Sequence, residues 1–307
     1  MIVYLNGAFL EAASARVSLF DGGYLYGDGL YETLRLYAGR PADLDGHLGR
    51  LTRELELLGY AWRPEAAAIR ALLGELAARN GLAGEDARAR LTVSRGGSPD
   101  DPLPLAGLDA LPETVSAWVT PIAPEVTAWQ RDGIAACVMK SPFARGNFPQ
   151  LKTLNYLPAL MALRFAHAEG CQGALLVDRQ GKLLEGTGSN LFVVRDGQLL
   201  TPPSRLGLLA GRTRARVLGL AAAAGLRPLE SALERRDLLT APEAFLSGSV
   251  KEIVPLVRVD GQPVGDGLPG PATRDLQKRY RQAVLDDLAQ PGGDSVVPGT
   301  TGAQQPQ

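Results

Sequence analysis

Residues that bind metals or carry thiol chemistry are nearly missing from this chain. Its 307 residues include two histidines, His47 and His167, and two cysteines, Cys137 and Cys171. Two histidines cannot build a histidine-rich metal centre. Two cysteines so far apart in sequence form neither a C-x-x-C pair nor a disulfide framework. No metal site is expected. No apolar run approaches the roughly 20 residues that span a bilayer. The opening MIVYLNGAFLEA lacks the basic-then-apolar pattern of a secretory signal, so a cytoplasmic protein with no membrane partner is expected. An excess of charge is lacking as well: Lys plus Arg total 32 against 33 for Asp plus Glu. Nothing there would draw the surface to nucleic acid. Lysine itself is scarce, with five at positions 140, 152, 182, 251 and 278, and arginine supplies the other 27 cations.

What is present is an ordinary globular composition, 45% hydrophobic and 21% charged, at a length that suits two domains. Asn6-Gly7 predicts a tight hairpin within residues 2–10. A glycine-dense stretch at 21–29 leads into a strand over 30–37. Leu48, Leu51, Leu55 and Leu58 share one helical face, and a second helix begins near Pro64 and stops at Asn80-Gly81. Residues 90–94 and 114–120 read as strands around a Pro/Gly/Asp loop at 96–112. Thr120-Pro-Ile-Ala-Pro-Glu125 reads as a linker. Beyond it the pattern predicts strands near 134–139, 175–178, 183–184, 191–194, 244–246 and 256–259. Helices are predicted over 155–169, 213–224 and 273–288. This mixture has no strict βαβ rhythm, so the fold class is α+β rather than a doubly wound sheet. The expected division is a smaller domain at 1–120, a larger one at 121–290, and a disordered Gly/Pro/Gln-rich tail at 291–307.

Several short stretches could carry chemistry. Lys152 lies among mostly uncharged neighbours just before a helix, where desolvation would make its amine a usable nucleophile. Taken alone, the same surroundings favour a solvated lysine at a helix start. Glu185 precedes Gly186-Thr-Gly188, which is not a dinucleotide fingerprint because no third glycine follows and 191–194 is a strand. Gly211-Arg212-Thr213 opens a helix whose free N–H groups form an anion site. Ser247-Gly248-Ser249 offers a second set of hydroxyls, and His47-x-x-Arg50 puts a cation on a helix face.

In this order the stretches resemble the class IV aminotransferase family, the fold-type IV pyridoxal-phosphate enzymes. The pattern is Tyr26-Gly-Asp-Gly, Tyr31-Glu32, His47-x-x-Arg50-Leu51, Lys152-x-x-Asn155-Tyr156, Glu185-Gly-x-x-Ser-Asn190, Gly211-x-Thr213-Arg214 and Ser247-Gly-Ser-x-x-Glu252. The resemblance runs from about residue 3 to 288. It implies two α/β domains of the D-amino-acid aminotransferase-like fold, with pyridoxal 5'-phosphate between them, and a homodimer. It implies Lys152 as the Schiff-base lysine and proton carrier, and Glu185 as the acid facing the pyridine nitrogen. Arg50, Gly211, Arg212, Thr213 and Ser249 would bind phosphate, and Tyr156 would contact the phenolic oxygen. Tyr26, Tyr31 and Arg90 would line the substrate pocket, and Arg145 would add a cation. The substrate is then a small molecule with an amino group.

The reaction itself is less sharply marked. D-amino-acid aminotransferases carry an Arg-x-His carboxylate trap where this chain has Gly97-Ser-Pro-Asp-Asp-Pro102. Branched-chain enzymes favour Phe-Glu-Gly and Gly-Thr-Ala-x-Glu where this chain has Tyr31-Glu-Thr-Leu-Arg35 and Gly248-Ser-Val-Lys-Glu252. Glu-Thr-Leu-Arg and Ser-Val-x-x-Ile-Val-Pro lean toward aminodeoxychorismate lyase, which releases pyruvate and 4-aminobenzoate for folate synthesis. The alternatives are an amino-acid aminotransferase using 2-oxoglutarate, branched-chain type before D-amino-acid type, and, remotely, an inactive binding protein of the same shape. Lys251, beside the second hydroxyl pair, is the one rival to Lys152.

Overall fold

Asn6 and Gly7 both take positive φ, 45° and 91°, and their turn joins β1 (Ile2–Leu5) to β2 (Ala8–Glu11). This hairpin opens a computed structural model that describes residues 1–99, 112–143 and 151–290. Most of the 96–112 loop, Arg145 and the tail lie outside the described residues. The short α1 (Gly22–Tyr26) is capped by the Asp21 carboxylate and stopped by left-handed Gly27. Then come β3 (Gly29–Tyr37), β4 (Arg40–Pro41), α2 (Leu44–Leu57), α3 (Ala66–Arg79), β5 (Ala87–Ser94) and β6 (Thr114–Pro121). The six strands form one antiparallel sheet in the order β2-β1-β6-β5-β3-β4. Its inner face packs Leu30, Leu34 and Leu36 of β3 on Leu48, Leu51 and Leu55 of α2 and Leu73 and Leu76 of α3. The leucine spacing in α2 is what makes this possible, because positions three and four apart fall on one face.

The second part holds α4 (Glu125–Asp132), β7 (Ile134–Val138), α5 (Leu157–Ala168), β8 (Gly173–Val177), β9 (Leu183–Gly186), β10 (Ser189–Arg195) and β11 (Gln198–Thr201). It continues with α6 (Arg212–Leu220), β12 (Arg227–Glu230), α7 (Arg235–Leu239), β13 (Glu243–Gly248), β14 (Glu252–Val259), β15 (Gln262–Pro263) and α8 (Pro271–Ala289). The strand order is β12-β11-β10-β13-β14-β7-β8-β9, and a further pairing of β9 with β10 closes six of these strands into a barrel. Along β10, Leu191 and Val193 face the barrel core, while Phe192 and Val194 pack outward with α6 and α8. Burial on both faces explains why residues 191–194 read as an unbroken apolar run. The mixed helix-and-sheet class is as expected from the sequence.

The stretch read as a linker is shorter than expected. β6 runs to Pro121, and α4 begins at Glu125 with Pro124 at its cap. Eight residues are too few for a helical period to declare itself, so α4 is silent in the pattern. The helix expected over 213–224 ends at Leu220 and continues only as a single 3₁₀ turn at Ala222–Ala224. The strands β11 and β12 were also not expected.

Candidate active site

β3 alternates, and the alternation builds the site. Glu32, Leu34 and Leu36 point to α2, while Tyr31, Thr33 and Arg35 point across to the second part of the chain. Glu32 is buried and accepts three hydrogen bonds. Arg50 donates Nε to Oε1 and Nη2 to Oε2, both at 2.7 Å, and His47 Nδ1 lies 2.7 Å from Oε2. Burial alone would raise the Glu32 carboxyl, but Arg50 and His47 outweigh it and hold it well below the usual carboxylate range. Burial likewise works against the Arg50 charge and is outweighed by Glu32. The guanidinium is therefore fixed, and its Nη1 donates to the Ala210 carbonyl at 3.0 Å, next to the start of α6.

Lys152 is fixed by its backbone. Its carbonyl accepts from Tyr31 N–H at 3.1 Å, and Leu154 N–H donates to Gly29 carbonyl at 2.9 Å, so residues 152–154 lie along β3. Its own N–H donates to Glu54 at 2.9 Å. Burial pushes the Glu54 carboxyl up to about 7, against the Lys152 N–H and the Arg50 guanidinium, which favour the charged form. The Lys152 amine stands 4.4 Å from the centre of the Tyr31 ring. The Arg90 guanidinium lies 3.8 Å from the same ring centre, and Tyr156 meets Tyr31 edge-on at 6.3 Å. The Tyr156 hydroxyl donates to the Thr187 carbonyl.

Glu185 sits where β9 and β10 close the barrel, paired with Asn190. It is buried and accepts from Asn190 Nδ2 at 3.3 Å and from Leu209 N–H at 3.2 Å. Gly211 caps α6 without a side chain, so no side chain competes for the first N–H groups of the helix. A Cβ at Gly211 would stand 2.0 Å from Asn190 Oδ1, which is why only glycine fits there. Arg212 forms a two-pronged pair with Asp43, at 2.7 and 2.9 Å. Thr213 is buried against Tyr280, 3.5 Å away, and Ser249 Oγ lies 3.5 Å from His47 Nε2.

These groups surround one cavity of about 510 Å³, lined by Arg50, Lys152, Tyr156, Glu185, Gly211, Arg212, Thr213 and Ser249 together with Tyr31 and Arg90. Tyr26 is the exception. α1 turns it outward, half of its surface is exposed, and it does not line the cavity. The rival lysine, Lys251, lines the same cavity but stands over the Trp129 ring. Among the described residues no cluster of three or more metal-ligating side chains exists, and no helix is long and apolar enough to cross a membrane.

The cavity can hold a phosphate-bearing aromatic cofactor. A helix N-terminus, a fixed arginine and hydroxyls converge at one side, and a buried carboxylate and a lysine stand at others. Ser247 Oγ is buried, lines the cavity and has no partner among the described residues, as a group reserved for a ligand would be. Sequence reasoning gave no role to Glu32, Glu54 or Asn190. A signal existed for Glu54, because His47, Arg50 and Glu54 follow the spacing of one helical face.

Comparison with known proteins accords with this arrangement. The family model for amino-transferase class IV matches residues 29–259. The chain is 34% identical to a putative branched-chain-amino-acid aminotransferase of Methanocaldococcus jannaschii, covering 92% of this chain and 96% of that one. It is 33% identical to D-alanine aminotransferase of Bacillus licheniformis, covering 94% and 99%, and 32% identical to aminodeoxychorismate lyase of Bacillus subtilis, covering 95% and 98%. Among solved structures, the branched-chain aminotransferase of Escherichia coli superposes with a TM-score of 0.83 at 28% identity, covering 92% and 94%. A hypothetical aminotransferase from Mycobacterium tuberculosis in its PLP-bound form gives 0.81 at 25% identity, covering 94% and 100%.

Proposed function

This chain belongs to the class IV aminotransferase family and is a pyridoxal-phosphate enzyme; from that premise we propose that it transfers an amino group between an amino acid and a 2-oxo acid. When bound, pyridoxal phosphate supplies an electron sink for the pair released at the amine-bearing carbon. Lys152 would hold the cofactor covalently and carry a proton to and from that carbon through Nζ. Glu185, already oriented by Asn190 and the Leu209 N–H, would keep the ring nitrogen protonated. Arg50, the N-terminus of α6 from Gly211 to Thr213, and Ser249 would hold the phosphate. Tyr156 would reach the phenolic oxygen by giving up its bond to the Thr187 carbonyl. Tyr31 and Arg90 would face the substrate.

The observation that carries this reading is the convergence of Lys152, Glu185, Arg50 and the start of α6 on one cavity. Transamination is preferred to elimination because two of the three relatives above and both solved structures carry aminotransferase names. A second reading, aminodeoxychorismate lyase, is supported by Glu32-Thr-Leu-Arg35 and by Ser249-Val-x-x-Ile253-Val-Pro255.

Feeding aminodeoxychorismate, and separately a panel of L- and D-amino acids with 2-oxoglutarate, separates the two. Amine exchange in the panel supports the aminotransferase. Pyruvate and 4-aminobenzoate from the first mixture, with no exchange in the panel, would replace it with the lyase. The purified protein should be yellow, and borohydride should fix the cofactor on Lys152. Lys152→Ala should fold normally and lose turnover. A fully active variant would overturn the role given to Lys152.

We further propose a homodimer. Leu157, Leu160, Met161 and Phe165 are exposed on α5 at helical spacing, an apolar stripe that a second copy would cover. Sedimentation of the holoenzyme at micromolar concentration should give twice the chain mass.

A further inference from the structure

Glu54 is an acid in an unfavourable place. It lies in the last turn of α2, four residues after Arg50, and is buried without lining the cavity. Arg50 gives Nε and Nη2 to Glu32 and Nη1 to the Ala210 carbonyl. Among the described residues the Glu54 side chain takes no ion pair and one hydrogen bond, from the Lys152 N–H at 2.9 Å. Burial pushes the carboxyl up to about 7, and Glu32 adds to the rise. The Lys152 N–H, the Arg50 guanidinium and the Lys152 ammonium all favour the carboxylate but do not prevail. A glutamine here would accept from the same N–H and bury no charge. What glutamate adds is a negative charge behind the lysine.

The fold sets this placement. Leu151 is buried in the core beside α2, and residues 152–154 run along β3, with Leu30 paired to Thr153. The Lys152 peptide is therefore held between β3 and α2, with Glu54 at its back. Its side chain reaches into the cavity, where the amine stands 4.4 Å from the Tyr31 ring centre. Arg90 stands over the same ring, 3.8 Å from its centre. The charged and titratable groups around the pair are thus Arg50 on α2, Glu32 and Tyr31 on β3, Arg90 on β5, Tyr156 at the cap of α5 and Glu185 on β9. Coupling between two charges is mutual. The Lys152 ammonium favours the Glu54 carboxylate, so the carboxylate favours the ammonium by the same amount.

We propose that Glu54 is a positioning residue for the reactive lysine: it anchors the Lys152 peptide from α2, and its carboxylate makes the Lys152 amine hold its proton more firmly. The inference rests on Lys152 as the cofactor-bearing lysine and adds what sets its proton affinity. A group that gives and takes a proton in every cycle works best when that affinity suits the working pH. The support is present while Glu54 is charged and is lost as the pH falls through about 7 and the carboxyl takes up its proton.

The test reads the lysine without turnover. Full-length wild type, Glu54→Gln and Glu54→Asp are labelled as apoproteins with trace acetic anhydride across a range of pH, and acetylation of each lysine is followed by mass spectrometry. Glutamine keeps the acceptor and loses the charge, whereas aspartate keeps the charge with a shorter reach. In Glu54→Gln the midpoint for Lys152 should fall by about half a pH unit or more. Lys251, which lines the same cavity, should keep its midpoint. In Glu54→Asp the Lys152 midpoint should stay within about 0.2 pH unit of wild type. Below about pH 6, where wild-type Glu54 is itself protonated, wild type and Glu54→Gln should label Lys152 alike. In the holoenzymes, the midpoint of the pH-dependent change in visible absorbance should move down in Glu54→Gln as well. A Lys152 midpoint unchanged in Glu54→Gln would overturn the proposal. So would an equal fall in Glu54→Asp, because a displaced backbone would then account for it. If Lys152 responds as expected but borohydride fixes the cofactor on another lysine, the coupling stands and the role given to Lys152 falls. If borohydride finds Lys152 and its midpoint ignores Glu54, the role stands and the coupling falls.

Discussion

Glu32→Gln is the most informative single substitution outside the cavity. The Glu32 carboxylate accepts two bonds from Arg50 and one from His47, all at 2.7 Å, and is buried. Glutamine has the same shape but only one acceptor oxygen. If that oxygen takes the Oε2 position, the amide nitrogen faces Arg50 Nε. If it takes Oε1, the amide nitrogen faces Arg50 Nη2. Either way a donor meets a donor, and the Arg50 charge is buried without a counter-ion. Breaking a buried pair by removing one partner costs about 3–5 kcal/mol. At about 2–4 °C per kcal/mol, the apoprotein should melt about 6–20 °C lower. The second effect is on the cofactor. Arg50 lines the cavity and is oriented chiefly by Glu32. Losing one charge-assisted hydrogen bond, about 1.5–3 kcal/mol, should weaken pyridoxal phosphate about 10- to 100-fold. Melting followed by both fluorescence and circular dichroism reads the first effect, and absorbance titration of the apoprotein reads the second. A variant within about 1 kcal/mol of wild type in stability, with unchanged cofactor affinity, would refute the view that this carboxylate holds Arg50 in place.

Two other substitutions probe the neighbouring parts. Gly211→Ala has ordinary dihedrals but drives a Cβ to 2.0 Å from Asn190 Oδ1. Asn190 must swing away from Glu185 and the Leu209 carbonyl, so the melt should fall by the equivalent of about 1–3 kcal/mol; an unchanged melting curve would show that Asn190 is not locked. Glu54→Gln tests pH dependence. The carboxyl rises from 4.5 to about 7 on folding. The folded state therefore holds the proton more tightly, and this group makes stability fall as pH rises from about 4.5 to 7, by about 3 kcal/mol at full effect. Glutamine keeps the acceptor for the Lys152 N–H and has no charge to bury. The variant should match wild type near pH 4.5 and exceed it above pH 7, as read by denaturant unfolding at several pH values. A difference between the two proteins that does not change with pH would sink the assignment.

Local chemistry was enough for much of this molecule. The Asn6-Gly7 hairpin, the α2 leucine face and the β10 apolar run all follow from residue type and period. Through the family resemblance most of the candidate site was legible as well: ten of the eleven described site residues named from the sequence line one cavity, although they come from seven separate stretches of the chain. Tyr26 failed because the two caps of a five-residue helix decide its direction, and neither cap announces which way the helix faces. α4 failed because eight residues, little more than two turns, are too few to show a period.

What the sequence by itself determined was the inventory. It held one lysine in an uncharged setting before a helix, one carboxylate in a glycine-rich turn, a helix start without a capping side chain, and few lysines to compete. Only the tertiary structure decided which of these are partners. The closure of β9 on β10 brings Glu185 to Asn190 and Leu209, and the pairing of residues 152–154 with β3 brings Lys152 to Tyr31 and Glu54. It also decided that Glu54, one acid among 33, stands behind Lys152 with no cation of the described residues paired to it. Charge in a sequence is only a total, and whether a charge is spent in a pair or left to act on a neighbour depends on distances that arise when remote segments meet.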